Sequence, residues 1–184
     1  MPCRTPARRS RATGTETKQQ AQERLHLLQE ATTLRQELAK SNPPPLDRLY
    51  LMRSYCRLSD AELAVNDVAH ARQHADAARP FFDEFKATSP SLIVLRELGF
   101  CYERMGNVYG RAAVTRSVPS SERDAAAAYS QQWFRKSYDT WSEWNRRGAE
   151  TPGSEARRHK VERRLDSRDT TEFSRRGDSQ EPVR

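Results

Sequence analysis

The sequence is poor in the residues that build sheets and membrane spans. Among 184 residues there are one isoleucine and eight valines, and Leu, Ile, Val and Phe together make up about 16%. Buried sheets draw on β-branched side chains, so this supply is too small for one. No stretch approaches the roughly 18 uncharged apolar residues that favour a membrane span. The composition therefore excludes an all-β or α/β domain and predicts no membrane-spanning segment.

Cysteine is also sparse, with Cys3, Cys56 and Cys101 scattered along the chain. An odd number without paired spacing argues against a disulfide framework and against a zinc site. The apolar neighbours of Cys56 and Cys101 indicate buried thiols in a reducing compartment, and we expect a cytoplasmic protein. No apolar run follows the N-terminal arginines, as a secretory signal requires. The acid-free, Arg-rich start also resembles an organellar transit peptide, and that alternative stays open.

The charge is unevenly distributed. The formal net charge is +7, and residues 1–15 hold four arginines and no acid. Residues 150–184 hold nine basic and eight acidic residues, so the middle of the chain is nearly balanced. Nucleic-acid-binding domains concentrate positive charge on their folded face. Polyanion binding through the N-terminal arm is therefore the less favoured hypothesis.

Helix-forming residues and helical spacing are abundant. There are 21 alanines, and apolar residues recur every three or four positions, which indicates helices. The spacing predicts a helix over 16–40 with Leu25, Leu28, Ala31, Leu34 and Leu38 on one side, and a second helix over 46–58. A capping box at Ser59 and Glu62 predicts the start of a third. Ser89-Pro90 opens a fourth, and a fifth runs to Trp144 before Gly148 ends it.

The fourth predicted helix contains Leu95-x-x-Leu98-Gly99-x-x-Tyr102, which resembles the first-helix pattern of tetratricopeptide repeats. Ala71, Ala75 and Ala78 have that family's second-helix spacing of small residues, as do Ser130, Phe134 and Ser137. The resemblance implies close packing of a neighbouring helix against Gly99. We expect an all-α, antiparallel helix-hairpin array of about five helices. The predicted parts are a disordered basic arm (1–15), an N-terminal helix (16–40), a tetratricopeptide-like domain (46–148) and a charged, mostly disordered tail (149–184).

Residues 91–149 also resemble the C-terminal repeat regions of large bacterial serine/threonine kinases. The likeness lies in Leu-Gly-x-x-Tyr-x-x-x-Gly, Trp133-Phe134-x-x-Ser137-x-x-x-Trp141 and Arg146-Arg147-Gly148. The chain has no glycine-rich phosphate loop, no His-Arg-Asp and no Asp-Phe-Gly. This resemblance implies a helical module without its kinase domain, or a truncated regulatory fragment.

Catalytic and metal chemistry has little support in the sequence. Asp67, His70 and His74 have metal-ligand spacing on one helix, yet no further ligand accompanies them. Gly99, Gly106 and Gly110 do not match a phosphate loop, and we assign Gly106 and Gly110 to helix ends or loops. The aromatic residues 129–144 have the spacing of a helix core rather than of a base-stacking face. We expect no catalytic activity, no cofactor and no metal.

The tetratricopeptide resemblance implies a concave groove lined by the first helix of each pair. Carried onto the matched helix, the groove positions are Ile93, Arg96, Phe100, Glu103 and Arg104. Phe100 stands where the family's carboxylate clamp uses asparagine, which implies a mixed apolar and basic groove. The favoured function is a non-catalytic scaffold that binds a protein or peptide. The alternatives are nucleic-acid binding through the basic arm and the aromatic face, and a fragment of a kinase-associated repeat protein.

Overall fold

A computed structural model describes residues 16–41, 43–87 and 91–166. These ranges contain no strand and six α-helices: α1 (Lys18–Ala39), α2 (Pro45–Ala64), α3 (Val68–Ala87), α4 (Leu92–Val114), α5 (Ser120–Trp144) and α6 (Pro152–Asp166). A π-helical turn, Asn145–Ala149, joins α5 to α6. The all-α fold is thus confirmed. The basic arm (1–15) and the end of the tail (167–184) lie outside the described residues.

Consecutive helices pack antiparallel, as the sequence predicts. Between α4 and α5, Ser130 contacts Gly106 and Ser137 contacts Gly99, so a step forward on one helix matches a step back on the other. The same reversal relates α2 to α3, α3 to α4 and α5 to α6 through their hydrogen bonds and ring contacts. The result is an array of helix hairpins.

Alternate helices run in the same direction. From α2 to α4, Arg53 lies beside Glu97 and, further along both helices, Asp60 lies beside Arg104. From α4 to α6, Arg157 lies over Phe100, and Lys160 reaches a later residue of α4. Thus α2, α4 and α6 lie side by side and parallel, while α3 and α5 pack against them in the opposite direction.

The core is built on small and aromatic side chains of α3, α4 and α5. On α3, apolar residues at alternating intervals of three and four are all buried: Val68, Ala71, Ala75, Ala78, Phe82 and Phe85. The rings of Phe82, Tyr102 and Trp133 contact one another, with centroids 4.9–5.6 Å apart. Cys56 and Cys101 are also fully buried. The interpretation of the tryptophan-rich helix as core is confirmed for Trp133, which is buried.

Helices α4 and α5 approach each other closely at Gly99, in the first half of α4. A Cβ atom at Gly99 would lie 2.8 Å from the indole ring of Trp141. Ser137 Oγ donates a hydrogen bond to the Gly99 carbonyl at 2.9 Å. The close packing implied at Gly99 is therefore present, and its partners are a tryptophan and a buried serine.

The same arrangement repeats two turns later, at Gly106. A Cβ atom there would lie 2.6 Å from the ring of Phe134, and Ser130 Oγ donates to the Gly106 carbonyl at 2.8 Å. The assignment of Gly106 to a helix end or loop was wrong. Gly106 lies in the interior of α4, at a position where only a residue without a side chain leaves room for the ring of Phe134.

The boundary between α2 and α3 differs from the prediction. Ser59 does not begin a helix, because α2 continues to Ala64 and Ser59 Oγ donates to the Cys56 carbonyl inside it. The chain turns at Asn66, which adopts a left-handed φ of 64°. Asp67 then caps α3, since its carboxylate accepts the His70 amide at 3.2 Å. The Asn-Asp pair is the signal for this turn that the capping-box pattern hid.

The other helix starts shift by a few residues. Ser91, rather than Ser89, caps α4 and accepts the Val94 amide, while Ser89 lies outside the described residues. At the N-terminus, Thr17 and Gln20 form a capping box that begins α1. After α5, Gly148 has a φ of 74°, which confirms that the helical conformation ends there.

The stripe predicted on α1 is only partly correct. Leu25 and Leu28 are half-buried against α2, but Leu34 and Leu38 are exposed. The predicted positions recur mostly at intervals of three, which drifts around a helix of 3.6 residues per turn. The buried side of α1 instead includes Ala21 and Thr32.

The segment assigned to the charged tail contains a sixth helix. Helix α6 begins at Pro152 and packs against α5. Its only large apolar anchor near the middle is Val161, which is fully buried. Thr151 Oγ1 accepts the Ser154 amide at the start of the helix. The count of about five helices is therefore one too low for the described residues.

Candidate functional site

Four arginines form one surface across the parallel helices α2 and α4. Arg53 and Arg57 lie four residues apart on α2, and Arg96 and Arg104 lie eight apart on α4. These intervals return to the same side of a helix. Contacts from Arg53 to Glu97 and from Arg104 to Asp60 cross between the two helices on this side, and Arg57 and Arg104 line one cleft. We call this surface, formed by Arg53, Arg57, Arg96 and Arg104, the arginine face.

A buried carboxylate joins the two helices beneath this surface. Glu97 is only 5% exposed, and its carboxylate lies 3.5 Å from Arg53 Nε and 3.0 Å from Arg96 Nη2. Both arginines are therefore held beside one acid, which offsets one of their two positive charges. Each of them keeps part of its side chain in solvent and so contributes to the arginine face.

Arg57 is different, because no carboxylate in the described part of the chain lies within ion-pair distance of it. Its side chain is exposed. Partial desolvation, followed by repulsion from Arg53 and Arg104, lowers the pKa of the Arg57 guanidinium. Burial disfavours the charged guanidinium, the two neighbouring arginines add to that effect, and the carboxylate of Glu97 opposes it. An anion placed at Arg57 would relieve that repulsion.

Arg57 and Arg104 also line a cleft of about 760 Å³ between α1, α2 and α4. Its acidic groups are partly engaged, since Asp60 lies 4.0 Å from Arg104 and Glu16 lies 3.3 Å from Arg24. The lining residues are Glu16, Gln20, Glu23, Arg24, Leu27, Leu28, Arg57, Asp60 and Arg104. The cleft therefore combines three carboxylates and three guanidiniums with an apolar patch, Leu27 and Leu28, on the α1 wall.

Phe100, a predicted groove residue, is covered on two sides. Its ring contacts Trp141 edge-to-face at 5.1 Å between centroids, and the Arg157 guanidinium of α6 lies 4.3 Å over it. Arg104 approaches the same ring at 5.8 Å. A cavity of about 180 Å³ remains beside it, bordered by Trp144 and the first turn of α6. Phe100 thus packs between α4, α5 and α6, and its ring is not free to anchor a ligand.

Glu103, a second predicted groove residue, is buried. Its carboxylate accepts Arg157 Nη1 at 3.1 Å and Lys160 Nζ at 2.6 Å, both from α6. It therefore fastens α6 to α4. Of the five predicted positions, Ile93, Arg96 and Arg104 keep access to solvent in this region, with Ile93 the most exposed.

Sequence reasoning missed the α2 half of the site. The signal was present, because Arg53 and Arg57 have the spacing of one helix side. Nothing in the sequence states which helix lies next to α4, however. That α2 is parallel to α4 and within reach of it is a property of the folded array.

The histidines weighed as metal ligands have other partners. His70 Nδ1 lies 2.7 Å from Asp67, and His74 Nδ1 lies 2.9 Å from the buried Glu62. Across the described ranges, no group of three His, Cys, Asp or Glu side chains is placed to hold a metal ion. Over the same ranges, no helix combines the length and apolarity that crossing a membrane requires.

Comparisons with protein-family models, with curated proteins and with solved structures found no match to this chain. The geometry and charge of the described residues therefore carry what can be inferred about function.

Proposed function

We propose that this chain is a non-catalytic interaction module, a tetratricopeptide-like helical array that binds an acidic protein segment on its arginine face. The observation that carries the proposal is Arg57, an exposed guanidinium without an acidic partner among the described residues, beside Arg53 and Arg104. Charge-assisted hydrogen bonds from arginine to carboxylate are among the stronger polar contacts in interfaces.

The setting of Arg57 supports a peptide rather than a small ligand. The arginine face continues along α4 through Arg96 to the exposed side chain of Ile93. The adjoining cleft offers the apolar surface of Leu27 and Leu28. An extended segment with acidic residues and an apolar anchor matches this mixture of charge and apolar surface.

Nucleic-acid binding through the basic arm and an aromatic face has less support. Stacking of bases requires exposed rings, whereas Trp133 and Trp141 are buried and Tyr129 is the one ring of this helix that is exposed. The arm lies outside the described residues. The second alternative, a regulatory fragment of a kinase-associated repeat protein, rests on the sequence resemblance alone.

Affinity capture with matched baits tests the proposal. The baits are the wild-type chain, Arg57→Glu, Arg116→Glu and a chain lacking residues 1–15. Arg116 is an exposed arginine in the α4–α5 loop and controls for net charge. We expect one set of proteins to be retained by wild type, Arg116→Glu and the shortened chain, and lost with Arg57→Glu. Loss on removal of the arm, together with steep weakening from about 50 to about 200 mM salt, would favour polyanion binding instead.

A further inference from the structure

The outer side of α1 exposes a row of leucines. Leu27, Leu34 and Leu38 are 63%, 66% and 64% exposed, although a leucine side chain gains free energy on burial. Single exposed leucines are ordinary. These three, with the half-buried Ala31, instead recur at intervals of four, three and four along one helix line. We call Leu27, Ala31, Leu34 and Leu38 the leucine stripe.

The spacing of the leucine stripe is that of a coiled-coil seam. Alternating intervals of four and three place side chains at the a and d positions that face a partner helix. From Leu27 to Leu38 the stripe extends about 16 Å, or three turns. Within the described part of the chain α1 contacts chiefly α2, through a side that includes Ala21 and Thr32. Of the stripe, only Leu27 is among the residues that line the cleft towards α4.

One border of the leucine stripe is acidic. Glu23, Glu30 and Glu37 recur at seven-residue intervals and are all exposed. Glu30 pairs with His26 and Glu37 pairs with Lys40 just after α1, and such exposed pairs contribute little to stability. In coiled-coil terms these glutamates occupy the flanking positions that select the charge of the partner. We call them the acidic row.

The other border of the leucine stripe already contacts α2. Leu28 and Arg35 turn towards α2, and Arg35 Nη1 donates to Ser54 Oγ. A second copy of α1 is therefore a poor occupant. Antiparallel pairing would set one acidic row against the other, and parallel pairing would need the Arg35 that Ser54 already holds.

We propose that the leucine stripe docks an amphipathic helix of another protein, whose apolar seam is flanked by lysine or arginine residues that face the acidic row. The apolar seam of the partner would supply affinity by burying three exposed leucines, and the glutamates would favour a partner with positive charge. Leu27 and Glu23 also line the cleft beside Arg57 and Arg104, whereas Leu34, Leu38, Glu30 and Glu37 are not among its lining residues.

Two synthetic helical peptides of about 21 residues test this proposal on the full chain by fluorescence anisotropy. Both carry leucine at a and d positions; one has lysine and arginine at the flanking positions and the other has glutamate. We expect the basic peptide to bind more tightly. Leu34→Lys should weaken that binding at least about tenfold, because it removes a buried leucine from the seam. Leu92→Lys, which changes an exposed leucine of α4, is the matched control and should leave it unchanged.

The charge reversal is the decisive arm. Glu30→Lys together with Glu37→Lys should invert the order, so that the acidic peptide binds more tightly than the basic one. Arg57→Ala should leave the binding of the basic peptide intact, which keeps this result separate from the proposed function. Equal binding of both peptides, absence of binding, or a wild-type dimer that Leu34→Lys converts to monomer in sedimentation would each overturn the proposal.

Discussion

At the scale of single residues, the joint between α4 and α5 depends on two glycines that admit aromatic rings. Gly106→Ala would bring a Cβ atom to 2.6 Å from the ring of the buried Phe134. The ring must shift within a packed core, which costs roughly 1–3 kcal/mol and outweighs the helix propensity of about 1 kcal/mol that alanine gains. We therefore expect Gly106→Ala to lower the free energy of unfolding, measured by urea denaturation.

Gly153→Ala is the matched control for this substitution. Gly153 lies in the first turn of α6, where the nearest atom to an added Cβ is Thr151 Oγ1 at 3.8 Å. The same change there should leave stability unchanged or raise it slightly. If Gly106→Ala and Gly153→Ala change the free energy of unfolding equally, Phe134 does not pack closely against Gly106 as described.

Burial of a tyrosine makes stability depend on alkaline pH. Desolvation raises the pKa of Tyr102 from 10.0 to about 12. Because the folded chain holds this proton more tightly than the unfolded chain, the stability it contributes is complete below pH 10 and is lost as the pH rises towards 12. The loss amounts to about 2–3 kcal/mol. Tyr102→Phe should therefore make the decline above pH 10 shallower in urea unfolding curves, and an unchanged slope would contradict the burial of this hydroxyl.

At the scale of elements, α6 is held to α4 by a buried acid with two cationic partners. Removing Glu103 leaves Arg157 and Lys160 without their acceptor, but both cations are partly exposed and regain water. Glu103→Ala should thus loosen α6 more than it lowers overall stability. We expect faster tryptic cleavage within α6, and mass spectrometry of the digest over time measures that rate. Glu155→Ala, which removes an exposed acid of α6 itself, is the control and should leave the cleavage rate near that of wild type.

Elements with a regular apolar stripe were predictable, and elements fixed by tertiary contacts were not. The buried side of α3 follows from its alternating spacing, because that period matches a helix. Helix α6 is mostly charged and has one buried valine, so its position depends on contacts with Glu103 and Phe100 that lie about 50 residues away in sequence. The end of α2 was missed because Ser59 and Glu62 imitate a capping box while both are buried inside the helix.

At the scale of the whole molecule, the direction of the helices creates the candidate site. Arg96 and Arg104 were predictable from one helix and its resemblance to a repeat. Arg57 was not, because it becomes part of the site only when α2 lies parallel to α4. The same array turns Phe100 and Glu103 inwards to meet α6, which a single-helix argument places on the open surface.

The proposed binding site depends most directly on Arg57. The measurement that tests it is the affinity of the wild-type chain for an acidic peptide with one aromatic residue, compared with Arg57→Ala, Arg57→Lys and Arg116→Ala by isothermal titration calorimetry. We expect Arg57→Ala to weaken binding about tenfold or more through loss of a charged hydrogen bond. Arg57→Lys should have a smaller effect, and Arg116→Ala almost none. Equal weakening by Arg57→Ala and Arg116→Ala would show that net charge alone attracts the peptide, and would contradict a site on the arginine face.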